Sequence, residues 1–293
     1  MPMDIATATY AQVYARSLSD PEGFWAEHAA AIPWIEAPEK ILEKDQNGVW
    51  RWFSDGVLNS CYVALDQHVI ADRGKQTALI YDSPVTGMVQ HFTYAQLLEK
   101  TATIAGGLAD LGVAKGDVVV IYMPMVPETV AAMLACARIG AIHSVVFGGF
   151  APKELAMRID DANPKVVLAA SCGIEGDRVI AYQPLLNDAI DLAAHKPDHV
   201  VMLQRPQCEA TLVAPRDIDW LTWEGEASPA DCVPVNATDP LYVLYTSGTT
   251  GKPKGIVRDN GGHAVALNYS MSAVYGVGVG DVYWAASDVG WVV

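Results

Sequence analysis

From Ala78 onward the apolar positions of the chain switch repeatedly between a strand-like and a helix-like period. The run "ALIYD" reads as a strand, "SPVTG" as a turn, and "MVQHF" as the returning partner of a hairpin. Thr93-x-x-Gln96 spells a capping box ahead of a helix that carries Leu97, Ile104 and Leu108 on one face and ends near Gly112. "DVVVIYM" is apolar without alternation, as expected of a parallel strand covered on both faces. Pro127 can open the next helix, with Val130, Met133, Leu134 and Ala137 sharing a face and Gly140 ending it. "AIHSVVF" is a strand, Pro152 opens a helix through Ile159, and "KVVLAA" is again a strand. A helix over Leu185 to Ala194 then precedes the strand "HVVML". Alternation at this spacing predicts an α/β fold with parallel sheets flanked by helices.

Residues 1 to about 75 differ from the rest. Trp25, Trp34, Trp50 and Trp52 fall close together, and "WRWF" follows the turn signal Asn47-Gly48, which predicts a short strand. We expect this region to cap a larger domain spanning residues 76 to 293, with its aromatics packed inward.

The charge balance narrows the choice of partner. Among 293 residues, 34 are acidic and 19 basic, a formal net charge of −15. Such a chain is poorly suited to a nucleic-acid backbone or an anionic membrane as a general partner. The N-terminal "MPMDIATATYAQVYARSLSD" lacks the basic and apolar regions of a signal peptide. The most apolar region, Val118 to Phe150, is broken by Pro124, Pro127, Glu128, Arg138 and His143, so no membrane span is expected. The five cysteines are widely spaced and contain no CxxC, which predicts reduced thiols in a cytoplasmic protein and no metal site.

Against that acidic background, "YTSGTTGKPKG" stands out. It gathers three glycines, four Ser/Thr hydroxyls and two lysines directly after the apolar strand "LYVLY", Leu241 to Tyr245. Glycines let backbone N–H groups turn towards an anion without Cβ interference, and short hydroxyls add donors. Lys252, Lys254 and Arg258 attract negative charge, while Pro253 limits the entropy lost on binding. The predicted object is a cradle for a polyphosphate. It is not a Walker A loop, because a proline stands at 253 where that motif needs its second glycine; GxGxxG is absent too. The competing reading is an exposed turn with solvated lysines.

The same string resembles the signature loop of the adenylate-forming superfamily, which includes acyl-CoA synthetases, firefly luciferase and peptide-synthetase adenylation domains. Further stretches narrow the resemblance to short-chain acyl-CoA synthetases: "GVLNSCYVALDQHV", the segment from Val118 through Val167, and "YWAASDVGWVV". "SCGIEGDRVIAY" and "GIVRDNGGHAVAL" look more like propionyl-CoA than acetyl-CoA synthetase.

That resemblance implies use of ATP, Mg²⁺ and a short carboxylate to form an acyl-adenylate, then transfer of the acyl group to coenzyme A. It implies that Thr246, Ser247, Gly248, Thr249, Thr250, Gly251, Lys252 and Gly255 hold the ATP phosphates, with Lys254 balancing charge on the departing pyrophosphate. Trp291, Val292 and Val293 match the start of the family's acyl pocket; read alone, this run would be a plain buried strand. Arg178 matches one of two arginines that meet the nucleotide end of CoA, whereas Glu175 stands at the other position and would repel a phosphate. "FGGF", Phe147 to Phe150, reads as a strand-to-helix turn in which Gly148 and Gly149 could meet a ligand.

Family members are about twice as long. The later adenine-binding segment, the Mg²⁺-positioning stretch, the hinge and the small C-terminal domain with its lysine do not occur before Val293. The expectation is therefore the N-terminal part of a propionate–CoA ligase, inactive alone. Acetyl-CoA synthetase and a non-catalytic nucleotide-binding fragment remain the alternatives.

Overall fold

The uniformly apolar segments become the middle of one sheet in a computed structural model that describes residues 9–246 and 254–291. The N-terminal region starts with α1 (Tyr10–Ser19) and α2 (Pro21–Ala29), each with a side-chain cap, from Thr9 and Asp20. A hairpin of β1 (Leu42–Lys44) and β2 (Trp50–Trp52) follows, with Gly48 at a positive φ of 76° in its turn. The expected "WRWF" strand is therefore present. Strand β3 (Val57–Leu58) leads into two π-helical turns, Tyr62–Asp66 and Val69–Arg73.

The predicted hairpin forms as β4 (Thr77–Ser83) and β5 (Met88–Thr93), paired antiparallel. Helix α3 (Tyr94–Asp110) starts on the expected capping box: Gln96 N donates to Thr93 Oγ1 at 3.2 Å, and Thr93 N to Gln96 Oε1 at 2.9 Å. The chain then runs β6 (Val118–Tyr122), α4 (Pro127–Arg138), β7 (Ile142–Val145), α5 (Pro152–Ala162) and β8 (Val166–Ala170). A small hairpin, β9 (Cys172–Glu175) and β10 (Arg178–Ala181), precedes α6 (Tyr182–Leu192), β11 (His199–Leu203), β12 (Asp217–Asp219) and α7 (Trp220–Glu226). Strand β13 (Val235–Asn236) pairs with β3, and the described chain ends with β14 (Pro240–Thr246), β15 (Lys254–Asp259) and α8 (Asn260–Ala273).

Seven strands form one sheet in the order β12-β11-β8-β6-β7-β14-β15. All neighbours are parallel except the edge strand β15, which runs antiparallel to β14. Alternate residues of the central strands enter two different cores. Val119, Ile121, Val166, Leu168 and Val201 pack with α3, α4 and α7, whereas Val120, Tyr122, Val167, Val200 and Met202 pack with α5 and α6. Burial on both faces is why these strands carry no polar alternation. A third, smaller core joins Ile32, Phe53 and Leu58 of the N-terminal region to Ala237 and Val265.

Two expectations change. Helix α4 buries Ala131, Ala132, Ala135 and Cys136, while Val130, Met133 and Leu134 are only half-buried. Its small residues allow close approach to α3 and the sheet, and density of packing outweighs side-chain size. Helix α6 covers Tyr182–Leu192 instead of Leu185 to Ala194, because Ala193 already has an extended backbone at φ −66° and ψ 146°. Residues 281–291, which lead into the run Trp291 to Val293, form no strand. Their backbone bonds are local turns, Ser287 N to Ala285 O and Trp291 N to Asp288 O, and Trp284 is 83% exposed, while Val292 and Val293 lie outside the described residues.

Candidate functional site

In a parallel sheet the loops after the strands' C-terminal ends share one edge, where open α/β sheets bind ligands. Here that edge gathers the end of β14, the "FGGF" turn after β7 and the β9–β10 hairpin after β8. The hydrophobic period that builds the sheet thus also brings these segments together.

The expected loop proves to be the tip of a hairpin. Thr246 ends β14 directly opposite Lys254, the first residue of β15, and Tyr245 lies opposite Gly255. Lys254 and Gly255 are exposed and Thr246 is half-buried. The string expected to be a loop from 246 to 255 is therefore extended at both ends, since the ladder continues to the Thr246–Lys254 pair. Ser247, Gly248, Thr249, Thr250, Gly251 and Lys252 lie outside the described residues, as do Val292 and Val293.

Beneath this hairpin lies a cluster the sequence did not suggest. The Tyr245 hydroxyl donates to Asp161 Oδ2 of α5 at 2.7 Å. Arg158, one turn earlier, places its guanidinium 5.5 Å from the Tyr245 ring centroid and 4.8 Å from that of Phe150. Its Nη1 donates to the Glu154 carbonyl at 2.6 Å, so this buried charge is partnered. Burial, and then the Asp161 carboxylate, push the Tyr245 phenol upward, so it remains a hydrogen-bond donor. A Cβ on Gly255 would sit 3.0 Å from Val243 Cγ2 and 3.3 Å from the Tyr245 ring. That glycine leaves room for the tyrosine to lie across the hairpin.

The "FGGF" turn is built around two other tyrosines. Tyr122 Oη accepts from Gly149 N at 3.3 Å, and burial pushes its phenol up to about 12. A Cβ on Gly148 or Gly173 would fall 2.3 or 2.0 Å from the Tyr182 hydroxyl. In the structure Gly148 packs closely against Tyr182, which leaves no room for a side chain there. The ring of Trp291 lies 6.2 Å from that of Phe147, and Trp291 is 56% exposed.

Arg178 sits near the tip of the β9–β10 hairpin with a side chain 76% exposed, and it donates to Glu175 Oε2 at 3.2 Å. Glu175 Oε1 lies 3.6 Å from where a Gly149 Cβ would stand. The structure thus brings Arg178 to the same edge as the "FGGF" turn but engages it with the Glu175 carboxylate.

A cavity of about 550 Å³ opens at the far end of the β14–β15 hairpin, lined by Glu43, Asp45, Arg51, Pro240 and Asp259 among others. Pro240 and Asp259 pair at the opposite end of the ladder from Thr246 and Lys254. Three carboxylates against one guanidinium make it a poor home for a polyphosphate.

The profile of the AMP-binding enzyme family matches residues 66–293. The chain belongs to that family. In the same chain, the profile of the acetyl-coenzyme A synthetase N-terminus matches residues 10–64. The chain is 52% identical over 285 residues to acyl-CoA synthetase short-chain family member 3, mitochondrial, of Homo sapiens, covering 97% of this chain and 42% of that protein. It is 44% identical over 291 residues to the propionate–CoA ligase of Salmonella typhimurium, covering 97% of this chain and 46% of that one. In structure it is similar to acetoacetyl-CoA synthetase from Streptomyces lividans, with a TM-score of 0.87 and 25% identity over 98% of this chain and 44% of the other. The AMP-binding chain thus spans less than half the length of these relatives. No helix among its described residues is long and apolar enough to cross a membrane.

Proposed function

We propose that this chain supplies the phosphate-binding part of an ATP-dependent acid–thiol ligase that converts propionate to propionyl-CoA through an acyl-adenylate, with release of AMP and pyrophosphate. One observation carries the reading: the β14–β15 hairpin sets Thr246 opposite Lys254 at the C-terminal edge of a parallel sheet. Thr246, Ser247, Gly248, Thr249, Thr250, Gly251, Lys252 and Gly255 hold the ATP phosphates by backbone and hydroxyl donors. Lys254, a compact exposed charge, offsets the negative charge that grows on the departing pyrophosphate. Mg²⁺ accompanies ATP and supplies further charge neutralisation.

Trp291, with Val292 and Val293, begins the wall against which a short aliphatic tail rests, backed by Phe147. The choice of propionate over acetate is supported by the similarity to a propionate–CoA ligase. For coenzyme A, Arg178 meets the nucleotide end only after exchanging Glu175 for a phosphate. Residues 1–75 act as a cap, seated through the core that Phe53 and Leu58 share with Val265. The catalytic half-reactions need segments outside this chain, so residues 1–293 bind nucleotide without turning it over.

Calorimetric titration of residues 1–293 with ATP and pyrophosphate tests the phosphate site. Propionate-dependent exchange of pyrophosphate into ATP tests the chemistry in the intact protein, with acetate as competitor. Absence of ATP binding in both forms, or equal kcat/KM for acetate and propionate, overturns the corresponding part of the proposal. Acyl-adenylate formation by residues 1–293 alone overturns their inactivity.

A further inference from the structure

Among the described residues, a group of reactive side chains away from the sheet edge lies where the first π-helical turn meets α4 and the segment before β13. Cys61, Asp66 and Cys232 hold their ligand-type atoms within 4.8 Å of one another. Three such donors suggest a cation, but the cation there is a side chain of the protein itself. Arg138 Nη1 stands 2.8 Å from Asp66 Oδ2, 3.0 Å from Cys232 Sγ and 3.6 Å from Cys61 Sγ. Its Nε donates to the Ala230 carbonyl at 2.6 Å. A guanidinium does not lose its proton in a protein, so it competes with any metal for this space.

What remains is a pair of thiols, far apart in sequence, gathered around a buried positive charge. Cys61 is fully buried and Cys232 half-buried. We propose that Cys61 and Cys232 are a peroxide-oxidised dithiol site, converted by hydrogen peroxide into an intramolecular disulfide.

The electrostatics agree with the geometry. The Cys232 thiol and then Arg138 hold the Cys61 thiol below the usual range against the opposing effect of burial, while its hydrogen bond to Cys61 and burial push Cys232 upward. Cys61 is thus the sulfur of the pair that ionises first, and Cys232 the one that holds its proton longer. Elsewhere in the chain the balance differs. Burial pushes Cys136 up to about 12 and also raises Cys172. Thiolate character and access together decide which sulfur a peroxide oxidises; Cys61 has the first and the half-buried Cys232 the second.

The steps balance without another reactant. The Cys61 thiolate attacks one peroxide oxygen, the O–O bond breaks, and hydroxide leaves beside the Arg138 guanidinium, taking up a proton to become water. Cys61 is now a sulfenic acid. Cys232 loses its proton and attacks the Cys61 sulfur, so that the S–S bond forms as the S–O bond breaks and a second water leaves. Two electrons pass from the sulfur pair to the peroxide. Arg138 retains Asp66 and the Ala230 carbonyl, so its charge stays partnered after oxidation. The bridge ties the start of the first π-helical turn to the segment that feeds β13 and β14. A small thiol restores the dithiol by exchange.

The test is peroxide treatment of the folded protein followed by alkylation, intact mass and peptide mapping. The expected result is a mass lower by two hydrogens, a loss of two titratable thiols, and a single cross-linked peptide pair containing Cys61 and Cys232, reversed by dithiothreitol. In Cys232→Ser the second step is blocked, and a sulfenic acid at Cys61 is trapped by dimedone. Five unchanged thiols, a bridge between Cys172 and Cys208, or a disulfide between two chains overturns the proposal. The mapping uses the unaltered protein, so it decides the matter even where a variant does not fold.

Discussion

The Tyr245 hydroxyl donates to the Asp161 carboxylate at 2.7 Å, tying the last turns of α5 to the strand that enters the glycine-rich hairpin. Asp161 is exposed, so water can replace the tyrosine. Tyr245→Phe should lower stability by about 0.5–1.5 kcal/mol, the usual net worth of such a bond. Denaturant unfolding of Tyr245→Phe, Asp161→Ala and the double variant checks this. The double should cost little more than either single, and simple additivity of the two would contradict direct coupling.

Lys254 faces solvent beside the hairpin tip, where a triphosphate would bring dense negative charge. Loss of a charge-assisted hydrogen bond costs about 1.5–3 kcal/mol. Lys254→Gln should therefore weaken ATP binding by about 10- to 100-fold, with unfolding midpoints unchanged. Titration calorimetry at fixed ionic strength measures it, and unaltered affinity would remove Lys254 from the phosphate site.

The ion pair of Arg178 with Glu175 predicts a gain on mutation. Glu175→Arg removes the competing carboxylate and adds a second cation at the hairpin. In the intact protein it should tighten binding of coenzyme A but not of dephospho-coenzyme A, which lacks the 3′-phosphate. Equal change for both would show that this hairpin does not meet that phosphate.

Gly106 lies inside α3, where replacing glycine by alanine ordinarily gains about 1 kcal/mol. Here an added Cβ would stand 1.7 Å from the Ser228 carbonyl oxygen, and backbone cannot move aside as a side chain tip can. Gly106→Ala should destabilise by about 1–3 kcal/mol, measured by thermal or urea unfolding. A stabilised variant would mean that α3 does not approach the 228 segment so closely.

His143 on β7 and His263 on α8 flank Tyr242, with ring centroids 5.4 and 5.1 Å from it. Burial pushes His143 down to about 3 and His263 down to about 4. An unfolded histidine titrates near 6.5. Below that value the unfolded chain takes up protons that the folded chain refuses, so the contribution is intact above about pH 6.5 and is lost on acidification. Each histidine should cost about 1.4 kcal/mol per pH unit between pH 6.5 and 5. His143→Leu should flatten the pH dependence of urea unfolding in that window; an unchanged slope would show that His143 titrates normally.

Periodicity carried most of the architecture into view, because each central strand is buried on both faces and the helices that flank the sheet on one. The capping box of α3 and the turn at Gly48 were equally visible, since those signals act over a few residues. Strand β15 was not, because "KGIVRD" becomes a strand only by pairing with β14 at the sheet's edge. The buried face of α4 was misjudged for a related reason. Large side chains mark an apolar face in one dimension, but Ala131 and Ala135 mark where two backbones come close.

By itself, then, the sequence determined an α/β order of elements, a glycine- and lysine-rich segment after an apolar strand, and the resemblance that names the family. The tertiary structure alone decided that Asp161 meets Tyr245, that Glu175 engages Arg178 near the "FGGF" turn, and that Arg138 reaches both Cys61 and Cys232. Local signals depend on neighbours within a turn or two. Contacts between distant segments depend on which strands pair and which helix faces seat against them, and only the closed core settles that.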